Sequence, residues 1–120
     1  MDKCILVVDD DKMNLRRTSL ILEKSYDVIL AESGYEALNK LKEGNVDLIL
    51  LDISMPGMSG IETFERMKER KMEIPVIFLT ASGHEDDVMT AIRMGAANYL
   101  KKPFMPKSLL ERVEKELEKK

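Results

Sequence analysis

The stretch Leu48-Ile49-Leu50-Leu51-Asp52-Ile53-Ser54-Met55-Pro56-Gly57 joins a short apolar run to an aspartate and then to a proline and a glycine. An uninterrupted apolar run of strand length is what a parallel strand covered on both faces requires, because neither alternating side meets water. The same layout recurs along the chain. Cys4–Val8 runs into Asp9-Asp10-Asp11, and Val76–Leu79 stops at Thr80. Val28–Ala31 and the weaker Tyr99-Leu100 complete a set of five, and Lys102-Pro103 follows the last.

Between these runs apolar residues recur at helical spacing. They are Leu15, Ile21 and Leu22; Ala37, Leu38 and Leu41; Ile61, Phe64 and Met67; Val88, Ala91 and Ile92; and Leu109, Leu110, Val113 and Leu117. Five β-α units in alternation predict an α/β fold: a doubly wound, five-stranded parallel sheet with five helices on its two sides. The six glycines fall between elements or at their ends, and Pro56 and Pro103 sit just after strands, where no helix has to pass through them. No repeat, linker or low-complexity segment interrupts the pattern, so residues 1–120 read as one domain. The charged tail 111–120 keeps helical apolar spacing and reads as a closing helix.

Composition narrows the function. A net charge of −3, from 19 basic and 22 acidic residues, gives no electrostatic reason for this chain alone to bind nucleic acid. The single cysteine, Cys4, permits no intrachain disulfide and reads as a small hydrophobe at the start of a strand. No apolar run approaches the roughly 20 residues of a membrane span, and the N-terminus lacks the layout of a signal peptide. The expected location is cytoplasmic, with no membrane partner.

In a doubly wound sheet the carboxyl ends of all parallel strands share one edge, where ligands bind. Asp9, Asp10, Asp52, Thr80 and Lys102 should therefore converge. Crowded carboxylates repel one another, and a divalent cation relieves that repulsion. Oxygen donors alone favour a hard ion, Mg²⁺ or Mn²⁺, and nothing here offers the Cys/His set zinc prefers. A metal, an ammonium and a hydroxyl around one carboxylate suit phosphoryl transfer, with the carboxylate as nucleophile. Taken singly, Asp9 or Asp10 could equally cap the first helix, Thr80 is an ordinary strand-end residue, and Lys102 could be solvated beside Lys101. His84, the only histidine, reads as a solvated loop residue.

Five segments in order resemble the receiver domains of two-component response regulators of the single-domain, chemotaxis-regulator type. They are Val7–Asp11, Ser33–Leu38, Leu50–Gly60, Pro75–Ala81 and Gly95–Phe104. The resemblance covers essentially the whole chain and implies a flavodoxin-like sheet in the order 2-1-3-4-5. It implies that Asp52 is the phosphoacceptor. The metal ligands it implies are Asp9, Asp10 and Asp52, with the backbone carbonyl of Ser54. Thr80 is the hydroxyl that moves toward the phosphoryl group, Lys102 pairs with Asp52 or its phosphate, and Tyr99 is the aromatic that turns inward. The implied readout is the face of helix 4, strand 5 and helix 5, near Met89, Arg93, Tyr99 and Lys101. Asn98 stands where many members carry an acid, and Ser54 and Ser82 occupy variable positions that tune phosphoryl lifetime. The implied donor is a sensor histidine kinase or a histidine phosphotransfer protein, and the chain is either a monomer or a phosphorylation-dependent dimer. Such a domain phosphorylates and dephosphorylates only itself, so it is not an enzyme in the usual sense.

Two other readings use the same residues. In a hydrolase resembling the haloacid dehalogenase superfamily, Asp9 would be the nucleophile, but Asp52 would be unexplained and only one helix follows Lys102. In the other, the chain is a receiver-like binding module that is never phosphorylated.

Overall fold

The computed structural model describes residues 2–81 and 85–119. Strands and helices alternate from end to end: β1 (Cys4–Val8), α1 (Lys12–Leu22), β2 (Asp27–Ala31), α2 (Gly34–Lys42), β3 (Leu48–Asp52), α3 (Gly60–Glu69), β4 (Val76–Thr80), α4 (Glu85–Arg93), β5 (Asn98–Lys101) and α5 (Pro106–Glu118). The strands form one parallel sheet in the order β2-β1-β3-β4-β5. Successive side chains on a strand point to opposite faces, and that alternation sorts the core into two halves. Leu6, Val8, Ile49, Leu51, Val76 and Phe78 pack on the side of α2, α3 and α4. Ile5, Val7, Leu48, Leu50, Ile77 and Leu79 pack on the side of α1 and α5. On the first side Phe64 of α3 meets Phe78 edge-on at 5.4 Å between ring centroids, the arrangement ring quadrupoles favour.

The central strands β1, β3 and β4 are buried on both faces almost throughout, as their apolar runs require. The outer strands are not. Asp27 and Leu30 of β2 and Tyr99 and Lys101 of β5 are exposed, because an edge strand has a neighbour on one side only. Ile92 also departs from the helical-core pattern: Val88 and Ala91 are buried, but Ile92 lies 45% exposed on the outer surface of α4. Cys4 is half-buried rather than interior, and burial pushes its thiol pKa upward, helped by the charges of Asp47 and Asp27. Ser82 and His84 lie outside the described residues.

Local signals start the helices. Asp11 caps α1, accepting hydrogen bonds from the Met13 and Asn14 amides. The cap is thus Asp11 and neither Asp9 nor Asp10, which leaves those two carboxylates for another task. Ser33 caps α2, and α3 opens with a reciprocal capping box between Ser59 and Glu62. None of the helices in the described residues is long and apolar enough to cross a membrane.

Candidate functional site at the carboxyl edge of the sheet

Register brings the polar strand ends level. Val8 pairs with Leu51, so Asp9 and Asp52 follow at the same height on adjacent strands. Asp52 in turn pairs with Leu79, which places Thr80 one residue beyond it on β4. The chain leaving β5 is tied to the same edge by the Lys102 amide, which donates to the Thr80 carbonyl at 2.7 Å. Asp9 and Asp52 continue the alternation that carries Val7 and Leu50 toward α1 and α5. Thr80 continues the opposite alternation, that of Val76 and Phe78.

Oxygens of Asp9, Asp10 and Asp52 all lie within 4.8 Å of one another, with Asp9 and Asp52 buried and Asp10 exposed. This oxygen-only set, open to solvent through Asp10, fits a hard divalent cation that keeps part of its water shell. The Lys102 ammonium sits 2.9 Å from Asp9 Oδ2 and 3.5 Å from Asp52 Oδ2. Asp9 Oδ1 accepts the Asp11 amide at 3.0 Å, so both oxygens of Asp9 are engaged. Asp52 Oδ1 accepts only a long bond, 3.4 Å, from the Ser54 amide. The sequence expectation paired Lys102 with Asp52; in the structure its shorter bond is to Asp9.

These surroundings tune the charges. Burial pushes the Asp52 pKa up to about 6, with Asp9 adding to the rise and Lys102 and the Ser54 amide opposing it. For Lys102, burial by itself favours the neutral amine, but its bond to Asp9 and the charges of Asp52 and Asp9 outweigh that and raise its pKa. The site therefore holds a cation firmly and an acid that ionises with unusual reluctance.

Thr80 is buried and donates to the adjacent Ala81 carbonyl at 3.1 Å. On its other side Thr80, Met89, Tyr99 and Lys101 share a hollow of about 190 Å³. Tyr99 is 39% exposed at the rim, and Arg93 is exposed at the end of α4. A feature the sequence reading did not draw out lies beside Tyr99. Arg112 of α5 donates to the Tyr99 carbonyl and, at 3.0 Å, to Asn98 Oδ1. Asn98 Oδ1 also accepts the Tyr99 amide, and its Nδ2 donates to the buried Glu116. Asn98, where an acid was the family expectation, can donate to Glu116 as well as accept. A second acid there would face Glu116 with no proton to share. Spacing could have hinted at it, since Arg112 and Glu116 lie four residues apart on one helical face.

The family model described as response regulator receiver domain matches residues 5–114. The chain is 40% identical over 114 residues to the alkaline phosphatase synthesis transcriptional regulatory protein PhoP of Bacillus subtilis, covering 94% of this chain and 48% of that protein. It is likewise 40% identical over 116 residues to the phosphate regulon transcriptional regulatory protein PhoB of Escherichia coli, covering 94% and 51%. The chain thus spans about half the length of the curated relatives it matches. Among solved structures, it is similar to a CheY-like response regulator receiver domain protein from Methanospirillum hungatei. There the TM-score is 0.91 at 33% identity, covering 98% of this chain and 94% of that one.

Proposed function

The chain belongs to the response regulator receiver domain family, and on that premise we propose that Asp52 is the phosphoacceptor of a two-component signalling switch. The observation that carries this assignment is the contrast between two neighbouring carboxylates. Asp9 has both oxygens engaged at about hydrogen-bond length, whereas Asp52 keeps only long contacts, at 3.4 and 3.5 Å. Asp52 is thus the acid whose oxygen is available for a new bond.

An Asp52 oxygen attacks the phosphorus of a phosphohistidine on a sensor histidine kinase or histidine phosphotransfer protein. The phosphorus–nitrogen bond breaks, the imidazole leaves with the electron pair and takes a proton, and an acyl phosphate forms on Asp52. Lys102 neutralises charge on the transferring group, and Thr80, once released from the Ala81 carbonyl, donates a hydrogen bond to it. Asp9, Asp10, Asp52 and the Ser54 carbonyl would hold Mg²⁺ or Mn²⁺, which supplies further charge neutralisation at the phosphoryl oxygens. Hydrolysis of the acyl phosphate at the same site resets the switch.

The added negative charge favours whichever conformer brings Thr80 and Lys102 closest to it. Thr80 and Tyr99 border the same hollow, so movement of the hydroxyl opens room for the ring to turn inward. The surface of α4, β5 and α5 around Met89, Arg93, Tyr99 and Lys101 carries the readout. A hydrolase using Asp9 is not favoured, because a nucleophile bonded through both oxygens would have to give up Lys102 first. An unphosphorylated binding module is not favoured either, given the family.

The deciding experiment is incubation with a small-molecule phosphodonor, with and without Mg²⁺, followed by intact-mass measurement. One base-labile phosphoryl group is expected, dependent on Mg²⁺ and absent from Asp52→Asn. Uptake that persists in Asp52→Asn but disappears in Asp9→Asn would overturn the assignment.

A further inference from the structure

We propose that Gly60 is a positioning residue for Asp52: the first turn of α3 rests directly on the peptide that follows the acceptor. This inference rests on Asp52 being the phosphoacceptor. A Cβ built on Gly60 would lie 2.2 Å from the Asp52 carbonyl oxygen, 2.9 Å from its carbonyl carbon and 2.8 Å from Ile53 Cα. All three are backbone atoms, so no side chain can swing aside to relieve the contact.

Neither partner is free to retreat. β3 is the middle strand of the sheet and is buried along its whole length. α3 is held from below by buried Phe64 and Met67 and above by the Ser59–Glu62 capping box. The Gly60 amide closes the contact, donating to the Ile53 carbonyl at 2.8 Å. An added methyl must therefore rotate the Asp52–Ile53 peptide or break that hydrogen bond. Rotation at this peptide turns Asp52 about its own backbone, and the long contacts of its carboxylate to Ser54 and Lys102 have little strength with which to resist.

Gly34 provides the internal comparison. It too opens a helix in a crowded place, but its added Cβ would meet side chains, Thr63 Oγ1 at 2.2 Å and Met58 Sδ at 2.8 Å. The first contacts there are with side chains rather than with the backbone of Asp52 or Ile53.

The test compares wild type, Gly60→Ala and Gly34→Ala by phosphoryl uptake from a small-molecule donor at saturating Mg²⁺, by Mg²⁺ titration of the amide NMR spectrum, and by thermal unfolding. Both variants should lose stability. Gly60→Ala alone should take up phosphoryl about 10–100-fold more slowly, the range expected when a reacting group is misplaced by about 1 Å, and should bind Mg²⁺ more weakly. Uptake and Mg²⁺ affinity in Gly60→Ala matching those in Gly34→Ala would overturn the inference. If Gly60→Ala does not fold, Glu62→Ala decides, since it loosens the same turn without adding an atom. Slower uptake at saturating Mg²⁺ supports the positioning role, and unchanged uptake refutes it. Should wild type itself take up no phosphoryl group, the acceptor reading falls, and Gly60 is judged on Mg²⁺ affinity and the Asp52 and Ser54 amide shifts.

Discussion

Lys102 is held by Asp9 at 2.9 Å and only loosely by Asp52 at 3.5 Å, although 93 residues separate it from Asp9. The ammonium thus stands beside Asp52 without closing on it. It neutralises part of the charge of the acidic cluster, while the two Asp52 oxygens keep only long contacts.

That placement sets Lys102 in competition with a divalent cation for the same carboxylates. Lys102→Met keeps the length of the stem and removes the charge. Mg²⁺ affinity should rise by about fivefold or more, since a unit charge a few ångströms away is worth on the order of 1 kcal/mol or more at the edge of a protein. Phosphoryl uptake at saturating Mg²⁺ should fall. Isothermal titration beside the intact-mass assay checks both, and weaker Mg²⁺ binding in the variant would contradict the competition.

The Asp52 pKa, pushed up to about 6 chiefly by burial, ties stability to pH. Between the unfolded value near 4 and the folded value, the native state binds more protons than the unfolded chain. Asp52 therefore contributes stability that is full below about pH 4 and lost as pH rises through about 6. Metal-free wild type should lose about 1–2 kcal/mol from this source across that window, after discounting for solvent screening. Asp52→Asn should remove this component of the slope. Urea unfolding at several pH values, in chelator, checks the sign.

A divalent ion that binds only the folded site must stabilise it. Mg²⁺ at a hundred times its dissociation constant should add about 2.7 kcal/mol. Asp10→Asn, which deletes the exposed member of the cluster, should diminish that gain while changing metal-free stability little. Thermal unfolding with and without Mg²⁺ measures both quantities.

Arg112 bonds the Tyr99 carbonyl and Asn98 together on the outer edge of β5. Arg112→Ala should cost about 1 kcal/mol, the scale of one or two partly exposed hydrogen bonds. Hydrogen exchange at the Tyr99 amide should quicken, because Asn98, which accepts it, is then held by Glu116 alone. An unaltered Tyr99 exchange rate would mean that the clasp does not restrain the strand.

Much of this molecule was legible in one dimension. Short apolar runs such as Leu48–Leu51 and Val76–Leu79 announce buried parallel strands, because hydrophobic burial acts on the run itself whatever its neighbours are. Aspartate directly after such a run must emerge at the carboxyl edge, which is why the sequence alone pairs Asp9 with Asp52. What the run of residues could not convey is distance and direction. Whether Lys102 reaches Asp9 or Asp52, that the helix cap is Asp11, that Ile92 faces water and that Gly60 lies against the Asp52 peptide all depend on how separate segments dock. Local sequence determines which groups reach the edge of the sheet, since strand alternation and capping are near-neighbour effects. Only the packed structure decides which of them touch, because a difference of a few tenths of an ångström between Asp9 and Asp52 is set by every layer beneath them.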